Sequence, residues 1–223
     1  MTTRRRFIES AAANAAALAM IPSSLMAALP ADIVSADASA EWDVCWADRL
    51  KGKHKAVFDM TEPESGYGVW RAAIWGNQYT DVLKAAPADL STVLILRHNA
   101  IALAMKQEFW DRYNTGELKK ITHPLTSEIT KKNPALLDER DSVPAPYSSM
   151  ALHKQIGRGA IVLACNLAFR DCVETVKSVE KLSDEAARQR AIGYLVPGVI
   201  LQPSGVFAVI RAQQAGAAYI KAS

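Results

Sequence analysis

Four short runs of apolar, largely β-branched residues, each separated from the next by segments long enough to hold a helix, constrain this chain more than any other feature. They are His54 to Met60 (HKAVFDM), Ser91 to Arg97 (STVLILR), Ala160 to Ala164 (AIVLA) and Val199 to Leu201 (VIL). A strand that is apolar on both alternating faces has no solvent side, so it belongs in a sheet covered above and below. Helical spacing is read in Gly66 to Lys84, with Trp70, Ile74 and Val82 on one side. It recurs in Ile101 to Tyr113, Met150 to Ile156, Asn166 to about Lys181, Asp184 to Tyr194 and Ser204 to Gln214, where Gly216 is the stop. Ala217 to Ile220 reads as a last short strand. Strands alternating with helices in this way predict an α/β three-layer sandwich with a mostly parallel sheet of about five strands.

Two stretches break the alternation. Residues 114–148 hold four prolines (Pro124, Pro134, Pro144, Pro146), many charges and little periodicity. A loop of that length in a small domain tends to be a lid, a binding loop or an oligomer contact, and a solvated insertion with one or two short helices is the plainer alternative. The other stretch is the N-terminal 40 residues. Arg4-Arg5-Arg6-Phe7 precedes an Ala-rich apolar segment from Ala11 to Leu29, and small-residue sites follow at Ala36-Asp37-Ala38 and Ala38-Ser39-Ala40. That order matches an export signal, and the arginine pair before Phe7 is a twin-arginine signature. Pro22 and Pro30 interrupt the segment, which argues against a membrane anchor. The expectation is a cleaved signal over residues 1–40, a translocase of the twin-arginine type as a partner, and a single α/β domain over residues 41–223 in the periplasm, with no membrane attachment after cleavage.

Composition excludes several functions. The formal net charge of +3 is small and dispersed, whereas a nucleic-acid surface needs a clustered basic face. No GxGxxG, GxSxG, CxxC or HExxH occurs, and His54, His123 and His153 lack paired spacing, so no nucleotide, hydrolase or metal motif is present and no cofactor is expected. Three cysteines are too few for a disulfide scaffold, and an odd count leaves at least one thiol free or shared between chains.

In an open parallel sheet, ligands bind beyond the carboxyl ends of the strands. The residues there are Asp59, then His98 and Asn99, then Cys165 and Asn166, and finally Gln202 to Gly205. Cys165 stands before a helix, where the dipole and free N–H groups favour a thiolate; it is equally readable as a small packed hydrophobe. Cys172 is two helical turns further on and reads as core. Cys45, between Trp42 and Trp46, is open to either role. His98 is open to three readings: a general base for the thiol, a metal ligand, or a neutral imidazole bonded to the loop. Ser204 and Gly205 suit either ordinary capping or an anion-holding helix start.

The run Ala160 to Ala168 (AIVLACNLA) resembles the strand, cysteine and helix-start segment of the DsrE/DsrF-like sulfur-relay superfamily. The ending Val196 to Lys221 (VPGVILQPSGVFAVIRAQQAGAAYIK) is similar to that superfamily's final strand, helix and Gly-aromatic strand. Together with the twin-arginine signal, Leu96 to Met105 (LRHNAIALAM) and the long insertion resemble an exported branch of it. The resemblance spans most of residues 52–221. It implies a flavodoxin-like domain, assembly into homotrimers or homohexamers, and a persulfide on Cys165. The export signal and the insertion depart from the cytoplasmic sulfur carriers of the superfamily.

The functional expectation is a periplasmic sulfur-binding or sulfur-transfer protein, a carrier rather than a turnover enzyme. Its partners are a sulfur-containing small molecule or a sulfur donor or acceptor protein. Cys165 carries the sulfur, His98 assists proton transfer, and Asp59, Asn99, Asn166, Ser204 and Gly205 line the ligand site. The alternatives are a non-catalytic ligand- or metal-binding subunit of an exported redox complex, and an oligomeric scaffold.

Overall fold

Burial of the apolar runs against one another decides the architecture. The computed structural model describes residues 42–223; the expected export signal lies outside the described residues. Within them the strands are β1 (His54–Met60), β2 (Leu90–Leu96), β3 (Ile161–Cys165), β4 (Val199–Gln202) and β5 (Ala218–Lys221). The helices are α1 (Tyr67–Leu83), α2 (Gln107–Tyr113), α3 (Thr115–Lys119), α4 (Leu152–Gly157), α5 (Asn166–Glu180), α6 (Asp184–Gly193) and α7 (Gly205–Gln214). All five strands are parallel, in the order β4-β3-β2-β1-β5. The expected three-layer α/β sandwich, flavodoxin-like in its layering, is the fold.

Alternation along each strand sorts side chains between the two layers. Phe58, Leu94, Leu96, Val162 and Ala164 pack with residues of α1 and α5, including Val69, Phe169 and Val176. Val57, Val93, Ile95, Ile161 and Leu163 point the other way, onto Ala208 and Ala212 of α7 and onto Trp46 in the 3-10 turn Cys45–Arg49. Trp46 is pinned there: its Nε1–H donates to Gln202 Oε1 at 2.9 Å, both side chains being fully buried.

The strand order also fixes where a crevice opens. From β1 to β4 every step runs in one direction across the sheet. The step from β4 to β5 returns over the whole sheet through α7, on the opposite face. Neighbouring strands β3 and β4 therefore send their exits to opposite layers, which makes the gap between their carboxyl ends the topological switch point.

One helix differs from its expected form. Ile101 to Tyr113 is not continuous: His98–Ala104 is 3-10, and α2 begins only at Gln107. The cause is a competing partner for the backbone. Met105 bridges Leu195 in antiparallel fashion, Lys106 N–H donates to Tyr194 O at 2.8 Å and Val196 N–H donates to Ala104 O at 2.9 Å. Groups bonded sideways cannot also close helical turns.

Residues 114–148 are held down by polar staples. The buried Asn133 amide donates to Leu103 O and Met105 O at 3.0 and 2.7 Å, and its oxygen accepts from Ala135 N–H at 3.0 Å. Asp138, 1% exposed, takes the Arg140 guanidinium at 2.7 Å and faces His153 at 3.3 Å. The short helix α3 and the antiparallel bridge between Thr122 and Ile129 are the regular structure of its first half. Among the described residues, no helix is long and apolar enough to cross a membrane.

Candidate functional site

At the switch point, β3 ends on Cys165, which is also the residue that precedes α5. Across the gap, Ser204 caps α7: its hydroxyl oxygen accepts from Phe207 N–H at 3.1 Å. Between them lies a cavity of about 360 Å³ lined by Arg97, His98, Asn99, Cys165, Leu167, Ala168, Asp171, Ser204, Gly205 and Val206. Cys165 is 6% exposed. Its opening is this cavity, and the starts of two helices flank it.

Strand register brings the polar end-residues together. Leu96 pairs with Ala164 and Cys165 with Gln202; one step further, Arg97 stands beside Cys165, at the ordinary inter-strand spacing of about 4.8 Å. By alternation, Asp59, Arg97, Cys165 and Gln202 fall on the same face as Val57, Ile95 and Leu163, the face that α7 covers. The Arg97 side chain then lies across Gly205. A Cβ at that glycine would sit 2.4 Å from Arg97 Cδ and 2.7 Å from its Cβ, so glycine is what admits the arginine at the start of α7.

Asp59 anchors this arginine. Arg97 Nε donates to Oδ1 at 2.7 Å and Nη2 to Oδ2 at 2.8 Å, and Tyr219 O–H donates to Oδ2 at 3.0 Å. Asp59 is 2% exposed and its charge is matched by a two-pronged ion pair, the arrangement a buried carboxylate needs. The hydrogen bond to Asp59 holds the Arg97 guanidinium above its ordinary pKa, and the nearby Cys165 contributes in the same direction. Burial, and then Asp59, raise the Tyr219 phenol.

The structure thus gathers Cys165, His98, Asn99, Ser204 and Gly205 from the sequence reading around one cavity. His98 occupies the exposed rim in a left-handed backbone conformation (φ 51°). Its Nδ1 lies 3.1 Å from Glu62 Oε1, while Asn99 Nδ2 donates to Glu62 Oε2 at 2.9 Å. One carboxylate therefore clamps both loop residues. Asp59 and Asn166 are not in the lining. Asp59 works from beneath, through Arg97. Asn166 is 1% exposed and its oxygen accepts from Arg188 Nη1 of α6 at 3.1 Å, which ties α5 to α6.

Sequence reading missed Arg97 and Asp171. Arg97 carried a signal, being the only charge in STVLILR and at its carboxyl end; Asp171, one and a half turns into α5, carried none. Cys172 is packed as expected, 3% exposed, and burial pushes its thiol up to about 12. Cys45 is exposed and Cys165 is a free thiol. Among the described residues, no group of three or more His, Cys, Asp or Glu side chains converges as a metal site requires.

Compared with family models and with curated protein sequences, the chain matches none.

Proposed function

We propose that this chain is a periplasmic sulfur-binding or sulfur-transfer protein that carries sulfur on Cys165 as a persulfide, an exported relative of the DsrE/DsrF-like sulfur relay. The observation that carries the reading is the setting of Cys165: the one free thiol that opens into the switch-point cavity, between two helix starts and beside an arginine. The thiolate is the form that attacks sulfur. The thiolate would attack a sulfane sulfur, forming an S–S bond while the donor's leaving group departs with the electron pair. With Nδ1 of His98 engaged on Glu62, Nε2 is the ring nitrogen left to accept the thiol proton.

The test is mass spectrometry of the purified chain after polysulfide exposure, against Cys165→Ser. A gain of about 32 Da per sulfur atom, confined to a peptide containing Cys165 and absent from the variant, is the expected result. No adduct on Cys165, in a chain whose Cys165 is still alkylated by iodoacetamide, removes the carrier role. A second reading, a non-catalytic binding subunit of an exported redox complex, draws on the low exposure of Cys165 beneath a cavity large enough for a small ligand. Native mass spectrometry separates the two, since a stoichiometric foreign ligand, metal or partner protein that survives Cys165→Ser belongs to the second alone.

A further inference from the structure

The Ser204 hydroxyl oxygen accepts from Phe207 N–H of its own helix, which leaves its O–H to donate, and the Arg97 side chain covers Gly205. Arg97 lines the same cavity and has donors to spare. An arginine offers five N–H bonds in a planar fork. Asp59 takes one from Nε and one from Nη2, leaving both hydrogens of Nη1 and the second of Nη2. The arginine cannot swing away, because Asp59 holds its inner edge and Gly205 lies against its stem. Arg97 is thus a guanidinium held in place with donors to spare, lining the same cavity as Cys165, and such a planar fork recognises an anion with two or more oxygens. His98 adds a titratable imidazole at the rim. Asp171 is the one carboxylate in the lining and opposes an anion.

We propose that the sulfur donor for Cys165 is a small dianion of the thiosulfate class, with its sulfonate oxygens held by Arg97 and its outer sulfur presented to the thiol. This rests on the reading of Cys165 as a sulfur carrier. The Cys165 thiolate forms a bond to the outer sulfur, the bond between outer and sulfonate sulfur breaks, and the electron pair leaves on sulfite. The products are one persulfide and one sulfite. The outer sulfur passes over as a neutral atom, so no external oxidant or reductant is consumed, and the thiol proton goes to His98 or water. Arg97 neutralises the charge that gathers on the departing sulfite.

The experiment uses the full chain, Arg97→Lys, and the double variant Asp59→Asn/Arg97→Gln, which leaves no buried carboxylate unpaired and so guards against simple misfolding. Three readouts are taken: persulfide and sulfite formed from thiosulfate, persulfide formed from polysulfide, and protection of Cys165 from neutral iodoacetamide by added sulfate. The wild type is expected to release one sulfite per persulfide and to be protected by sulfate. The double variant should lose about tenfold or more in thiosulfate rate and all sulfate protection, a larger loss than it shows in polysulfide uptake or in unprotected alkylation. Arg97→Lys keeps the charge but not the fork and should fall between them. Asp171→Asn should raise the thiosulfate rate about twofold. Equal losses on every readout would reduce Arg97 to a structural role. Polysulfide uptake with no Arg97-dependent use of thiosulfate overturns the donor assignment alone, whereas failure with both sulfur sources removes the carrier reading as well.

Discussion

At the scale of single residues, the site depends on pairs in which one member has no function without the other. Gly205 is one: its missing side chain makes room for Arg97. Gly205→Ala brings a Cβ to within 2.4 Å of Arg97 Cδ and 2.7 Å of its Cβ. The contact is with the base of the side chain, so it cannot be relieved by moving a flexible tip. We expect a loss of about 1–3 kcal/mol, measured by urea unfolding, together with weaker sulfate protection of Cys165. Gln202 and Trp46 form a second pair. Trp46→Phe keeps most of the buried ring but removes the donor to Gln202 Oε1, leaving an acceptor without water or partner, and should cost about 1–3 kcal/mol in the same assay.

At the scale of elements, the insertion is the part whose stability should respond to acid. Hydrogen bonding and charge from Arg140 outweigh burial and hold the Asp138 carboxyl down, at about 2 against 3.8 in the unfolded chain. A carboxyl depressed in the folded state contributes stability that is complete above the unfolded value and lost as pH falls through the folded one. Stability from this staple should therefore be intact near pH 5 and decline from about pH 4 toward pH 2. Asp138→Asn should destabilise the chain at pH 6 and flatten its stability profile across that window, as followed by thermal unfolding at a series of pH values. A profile for Asp138→Asn that parallels the wild type would remove Asp138 as the source. The staple also explains why the insertion reads poorly in sequence: Asp138, Arg140 and His153 are ordinary surface residues until α4 brings His153 beneath the loop.

At the scale of the whole molecule, the three thiols report on global opening. Cys45 is exposed, Cys165 has access only through the cavity, and Cys172 is sealed with its thiol pushed up to about 12. Native alkylation with iodoacetamide at pH 8 should modify Cys45 first, Cys165 more slowly and Cys172 last. Denaturant should make all three equivalent, and early modification of Cys172 would contradict its place on the buried face of α5. The same scale decides how the sequence is read. The strand boundaries were legible to within a residue, because apolar runs on both faces have few other uses. The 3-10 segment His98–Ala104 was not, since Leu195 and Val196 lie far along the chain from the backbone they bond.

The sequence by itself determined a parallel α/β sandwich, the strand ends at which chemistry collects, and the alternation that gives Asp59, Arg97 and Cys165 one parity within their own strands. Only the tertiary structure decided that these parities coincide on the face covered by α7, that Arg97 joins the cavity lining with donors to spare, and that Asp59 and Asn166 act as supports instead of lining. The physical reason is register. Alternation is a property of one strand and can be counted along it, whereas the offset between strands is set by how the helices on both faces pack, through contacts between residues far apart in the chain.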